Sequence, residues 1–281
     1  MFAPAPVSSV RRTDSLKLTK VGGERFAESV DAHFPGTVPE AKFLASACSA
    51  LASKGFTKDS CIACANVCRD EKCGHFLSVL RGLMGPVFDM RSLGGFFTCG
   101  KTGFGAAHAH SPVSADGREK YVYFVAPHIA VDKQGAVAPV TRPGREKMST
   151  ACGALCALKA QLGKGALATA LDGDDLEMAV IRRMIAPHAA SSGGELDLVE
   201  LTKLAEKVIV EEQLTKLVAA TVDTSMADYA IVAGIQVHGP NDEDFFFPCP
   251  EHCITCVNGV QEPLIIPDEE PSWFFSCVSS N

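Results

Sequence analysis

The stretch YVYFVAPHIAV at residues 121–131 decides the fold of this chain. β-Branched and aromatic residues crowd it without polar alternation, the mark of a strand buried on both faces of a sheet. Pro127 offers no amide proton to a ladder, so it limits the strand to its end or to an edge position. Working outward, Cys61–Val67 is a second apolar run of strand length, and Tyr229–His238 is a third. Gly94–Cys99 reads as a short strand entering the glycine-rich GKTGFGAA. Helical periodicity lies between these runs. Residues 24–54 form two helices separated by Pro35-Gly36 and Pro39, and His75–Leu83 forms another. A helix begins at Ser149, where hydroxyls stand ready to cap it. Asp197–Thr221 is a long amphipathic helix with Leu198, Leu201, Leu204 and Val208 on one side. Strands alternating with helices predict an α/β fold with a mostly parallel central sheet flanked by helices. The expected organisation is a flexible segment over 1–20 and a single domain over 21–281. Its acidic, aromatic, proline-containing tail, from about Asn241, is expected to wrap the surface.

Composition narrows the function. The net charge of −7, with no run of Lys and Arg, argues against nucleic acid or an anionic membrane as partner. No stretch reaches the roughly 20 apolar residues that span a bilayer, so membrane insertion is not expected. The first twenty residues, MFAPAPVSSVRRTDSLKLTK, are basic and nearly free of acids. They fit the remnant of an organelle transit segment, and a disordered tail fits equally well.

The chain carries 12 Cys. A domain of this size has no need of disulfide staples, so thiols acting as ligands or as small core residues are the default. Ligands in α/β folds gather beyond the carboxyl ends of strands, and three positions satisfy that rule. Cys68 follows the strand Cys61–Val67, His128 lies at the end of the 121–131 strand, and Cys152 falls in the first turn of the helix from Ser149. A helix N-terminus favours a thiolate, and two thiolates with one imidazole suit Zn2+ while leaving a fourth position open. Alternatives stand at each position. Cys64 or Cys73 rivals Cys68, Cys152 also reads as a small core residue, and His128 as a histidine bonded to backbone. Cys61-x2-Cys64 with Cys253-x2-Cys256 reads as a second, structural zinc site. Cys73 or a thiol of the 249–256 cluster (Cys249, Cys253, Cys256) reads as a redox switch.

Further segments carry a resemblance. CRDE at 68–71, KTGFGAA at 101–107, DGREKYVYFVAPHI at 116–129, RPGREKMSTACGAL at 142–155, DDLEM at 174–178 and DTSMADYAIVAGIQVHGP at 223–240 occur in order. With these motifs the chain resembles the limiting CO2-inducible protein B family, of algal, diatom or heterokont type. The resemblance implies a β-carbonic-anhydrase-like fold, a dimer with itself or a related chain, and a zinc site. It implies Cys68, His128 and Cys152 as ligands and Asp70 as the gate of the open position, matching a C-x-D element. It also implies a basic partner for Asp70. The family's arginine positions are filled here by Lys72 and by Lys101, and a lysine lacks the bidentate fork of arginine. Arg69, Arg142 and Arg145 are the other candidates. Gly103, Phe104 and Gly105 are expected to wall the substrate pocket.

The function so implied is reversible hydration of CO2 to bicarbonate, within algal CO2-concentrating machinery in the plastid. The alternatives are a catalytically silent zinc component of that machinery acting by assembly, and a thiol-redox or structural-zinc protein.

Overall fold

The computed structural model describes residues 18–164, 169–191 and 196–268; most of the N-terminal segment expected to be flexible lies outside them. In chain order the strands are β1 (Val38–Pro39), β2 (Ile62–Val67), β3 (Val87–Asp89), β4 (Glu119–Ala126), β5 (His128–Ala130), β6 (Pro139–Val140), β7 (Ser149–Thr150), β8 (Ala227–His238), β9 (Asp244–Pro248), β10 (Ile254–Val257) and β11 (Val260–Pro263).

β3, β2, β4 and β8 form a parallel heart, which explains the unbroken apolar runs: β2 is buried at every position and β4 from Tyr121 onward. Pro127 interrupts the third strand of this set without shifting its register. Val125 lies beside Ala233 on β8, and His128 resumes beside Gln236, with Gln236 N–H donating to Pro127 O across the break. His128 therefore stands where the regular pairing of β4 with its neighbours ends.

The described part of the tail, residues 241–268, joins the sheet instead of wrapping the surface. β9 runs antiparallel to the second half of β8, β10 runs antiparallel to its first half, and β11 pairs with β10. The reason lies in residues 245–247, a Phe run among acids. Phe245 and Phe246 are buried, and Phe246 stacks on Phe43 with ring centroids 4.1 Å apart. Each such buried ring contributes about 2–3 kcal/mol of hydrophobic stabilisation, more than a surface strap gains.

The helices Glu24–His33, Glu40–Ser53 and Gly74–Met84 form as expected. The expected helix from Asp197 is also present, opened by a capping box in which Asp197 and Glu200 bond each other's backbone N–H. Its middle, Val208–Leu214, is a π-helical segment, which no residue pattern signalled. The π segment carries Gln213, whose amide both accepts from Phe97 N–H and donates to Phe97 O at 2.7 Å.

Two expected elements differ. Gly94–Cys99 is no strand: Gly94 and Gly95 take φ of 64° and 77°, a left-handed turn that glycine adopts without strain. GKTGFGAA forms most of the helix Gly100–His108. Ser149 does not open a helix either. Ser149–Thr150 pairs antiparallel with Pro139–Val140, and the helix runs Gly153–Leu162 with Cys152 at its N-cap. The resulting β-hairpin brings Arg142, in its loop, to Asp70 just beyond the end of β2.

Candidate metal centre

Three separate pieces of chain meet at the carboxyl ends of β2 and β4. Cys68 follows β2 directly, His128 opens β5, and Cys152 stands at the N-terminus of the helix Gly153–Leu162. Their ligand atoms all lie within 4.8 Å of one another, with the Cys68 and Cys152 sulfurs 3.8 Å apart. Cys152 and His128 are 0 % exposed and Cys68 is 2 % exposed. These values decide between a surface coincidence and a built site. His128 Nε2 is buried and has no hydrogen-bond partner in the protein, an unusual cost for a ring nitrogen. His128 is therefore not satisfied by backbone at this atom. Of the rival positions, Cys64 joins no ligand group among the described residues, while Cys73 groups with His128 and His238 on the other side of the ring and not with Cys68 and Cys152.

Electrostatics favour a thiolate at Cys68. A hydrogen bond from the Cys152 thiol is the main influence lowering its pKa; burial opposes this, and His128 reinforces it. Gly94 N–H also donates to Cys68 Sγ at 3.3 Å, so the left-handed Gly94-Gly95 turn has a place in the site. Cys152 is pushed the other way, first by its bond to Cys68 and then by burial. Two facing sulfurs and an orphaned imidazole nitrogen are the donor set of a zinc site with one open position, so the residues present fit that ion.

Beside Cys68 lies a cleft of about 530 Å³ lined by Cys68, Asp70, Leu93, Arg142, Arg145 and Thr150, among others. Arg142 meets Asp70 as a fork, Nη1 to Oδ1 at 3.1 Å and Nη2 to Oδ2 at 2.8 Å. The β6–β7 hairpin holds that arginine in place, since Arg142 Nε donates to Ser149 Oγ at 2.7 Å and Arg142 also pairs with Glu71. Asp70 accepts from Lys72 N–H at 3.1 Å as well, capping the short turn Glu71–Cys73. Burial alone would raise the Asp70 carboxyl, but the Arg142 guanidinium and the Lys72 N–H together hold it below its ordinary value.

The basic partner of Asp70 is thus Arg142. Lys72 extends its ammonium to Asp242 at 2.5 Å, and Arg69 is drawn to Glu177 at 2.5 Å. Lys101 is exposed on the helix Gly100–His108 and does not line the cleft. Gly103, Phe104 and Gly105 do not wall the cleft either. Phe104 is buried against Phe97 and Tyr123, at centroid distances of 5.1 and 5.4 Å, because the segment coils into a core helix. The second zinc site expected from Cys61, Cys64, Cys253 and Cys256 is not assembled among the described residues, where no cluster of ligand atoms contains them. Cys61 Sγ donates instead to Thr57 O at 3.0 Å. Sequence reasoning missed His238, whose Nε2 lies 2.9 Å from His128 Nδ1. The one signal was a polar pair, Gln236 and His238, on an otherwise apolar strand.

Among the described residues no helix is long and apolar enough to cross a membrane. Residues 37–255 match the family of limiting CO2-inducible proteins B/C, β-carbonic anhydrases. The crystal structure of limiting CO2-inducible protein LCIB is 31 % identical in sequence and superposes with a TM-score of 0.69, over 84 % of this chain and 97 % of that one. The crystal structure of PtLCIB4, a homologue of LCIB, is 25 % identical with a TM-score of 0.74, over 85 % and 99 %. A histidine-to-alanine mutant of PtLCIB4 gives 25 % and 0.75, over 87 % and 100 %. No curated protein matches the chain. A family match over most of its length, a shared fold, and the ordered motifs that end in this site lead to one conclusion: the chain belongs to the limiting CO2-inducible protein B/C family of β-carbonic anhydrases.

Proposed function

We propose that this chain holds zinc with Cys68, His128 and Cys152 and catalyses the reversible hydration of CO2 to bicarbonate. The observation that carries the reading is the orphaned, buried His128 Nε2 facing two sulfurs beside a cleft gated by Asp70 and Arg142. Zinc bound there supplies Lewis acidity, which brings the pKa of a water down from about 15.7 toward neutrality.

The chain's own residues do the remainder. Both Asp70 oxygens are engaged by the Arg142 fork, which keeps the carboxylate from closing on the metal ligands as a fourth donor. An ionised carboxylate can only accept a hydrogen bond. Asp70 thus orients a water in the cleft with a proton toward itself and a lone pair toward CO2. Arg142 keeps Asp70 ionised through the cycle and offsets part of the negative charge of the thiolates. Arg145, on the same hairpin loop, also lines the cleft and adds a positive charge that suits an anionic product. Dimerisation, a plastid location and a place in CO2-concentrating machinery belong to the same proposal, supported by the family resemblance and the basic N-terminal composition.

Stopped-flow measurement of CO2 hydration with a pH indicator tests the activity. The expected result is a rate above background that scales with zinc occupancy. A background rate from a fully loaded sample refutes catalysis and leaves the silent, assembling component as the reading.

A further inference from the structure

On the side of His128 away from the cleft, a line of buried hydrogen bonds leads outward. His128 Nδ1 is 2.9 Å from His238 Nε2, and His238 Nδ1 is 2.6 Å from Asp244 Oδ1. The sheet register builds this line. β5 runs beside the end of β8, setting His128 and Ala130 against Gln236 and His238, and β9 returns antiparallel so that Asp244 lies directly opposite His238. His238 is buried, and Asp244 is nearly so.

Donor and acceptor counting then fixes each ring in turn. The Asp244 carboxylate only accepts, so the proton of a neutral His238 sits on Nδ1. His238 Nε2 is left with a lone pair, and its two neighbours are His128 Nδ1 at 2.9 Å and the Cys73 sulfur at 3.8 Å, so the shorter and stronger bond is the one accepted from His128 Nδ1–H. His128 then carries its own lone pair on Nε2, the buried atom without a partner. Metal-ligating histidines commonly donate their second ring N–H to a carboxylate or carbonyl, which orients the ring and strengthens it as a donor. Here a second imidazole is inserted, itself locked by a carboxylate. The other Asp244 oxygen lies 3.5 Å from His75 Nδ1, which also meets Glu40 Oε1 at 3.1 Å, while Glu40 Oε2 accepts from Gln236 Nε2 at 2.7 Å. Asp244 is therefore braced from outside by His75, which Glu40 in turn holds.

We propose that His238 and Asp244 are positioning residues that fix the tautomer and ring plane of His128 for metal binding. The proposal rests on the zinc reading of Cys68, His128 and Cys152.

The test compares release of zinc to a chelator from the full-length chain and from His238→Leu, His238→Gln and Asp244→Asn, with the absorption spectrum of each cobalt-substituted form. His238→Leu is expected to release zinc roughly ten- to a hundredfold faster than wild type and to shift the cobalt bands. His238→Gln keeps an amide oxygen that accepts from His128 Nδ1–H, so it is expected to restore slow release. Asp244→Asn preserves shape but leaves the His238 tautomer open, so several-fold faster release is expected; this variant also answers the question if His238→Leu fails to fold. Wild-type release rates and unshifted cobalt bands in His238→Leu and Asp244→Asn, with wild type binding zinc, overturn the relay alone. A wild-type chain that takes up no zinc overturns the site and the relay together.

Discussion

Two cysteine-bearing regions of this chain invite the same reading from sequence and have opposite characters in space. CPEHCITC at 249–256 packs three thiols and a histidine into eight residues, and two of those thiols, with Cys61 and Cys64, read as a structural zinc site. Cys68, His128 and Cys152 are far apart in the chain. Yet in the first region Cys253 Sγ exchanges bonds only with the backbone of Ala233, at 3.4 and 3.6 Å, and burial pushes its thiol up to about 12. His252 is taken by Glu206 and Glu211 at 2.8 and 3.2 Å. In the second region two sulfurs face each other, a ring nitrogen waits without a partner, and the Cys68 pKa is lowered. Burial alone makes a cysteine inert; burial together with a convergent donor set makes it a ligand.

The largest effect expected from this contrast is on metal content. Cys152→Ala should take zinc from about one per chain to near zero. Cys253→Ala should leave it unchanged and lower stability by about 1 kcal/mol, the ordinary cost of trimming a small buried side chain. Metal analysis beside denaturant unfolding measures both, and zinc lost from Cys253→Ala would break the comparison.

Next comes the gate. Arg142→Ala leaves the partly buried Asp70 without its fork and should lower CO2 hydration on the order of a hundredfold at unchanged zinc content. Arg142→Lys should fall between, since a lysine restores charge but not the two parallel bonds. Lys101→Ala, changed on an exposed helix face, should match wild type in both rate and zinc. A rate lost with Lys101 and kept with Arg142→Ala would reverse the assignment.

The smallest effect sharpens what the C-terminal region does instead. Glu206 is the main cause raising His252 to about 9, against the desolvation that opposes it. Because the folded value lies above the unfolded one of about 6.5, the stabilisation is fully present below pH 6.5 and is lost as pH rises through about 9. The melting temperature of wild type should therefore fall more over that window than that of His252→Gln, with zinc content the same in both at each pH. Equal slopes would remove His252 from the account of stability.

The parallel heart was legible because buried parallel strands must be apolar on both faces, and YVYFVAPHIAV could hardly be anything else. Cys68, His128 and Cys152 were legible as a group because strand ends and helix starts converge in such folds, and the family motifs singled them out. What sequence hid was pairing. Nothing in KTGFGAA distinguishes a glycine-rich pocket loop from a helix whose Gly103 lets Cys99 approach closely; a Cβ there would fall 2.8 Å from the Cys99 sulfur. Five basic residues were candidates for Asp70, and only the β6–β7 hairpin, anchored through Ser149, chooses Arg142. His238 was missed for a similar reason: beyond the polar pair it makes with Gln236, its place depends on Asp244 arriving from a strand that the acidic tail disguised.

The claim beneath all of this is that the dispersed trio, and not the compact cluster, holds the metal. Anomalous scattering at the zinc edge from crystals of the zinc-loaded chain tests it most directly. The account predicts a single strong peak per chain between Cys68 Sγ, Cys152 Sγ and His128 Nε2. A peak among Cys249, Cys253 and Cys256, with none at the trio, would contradict it.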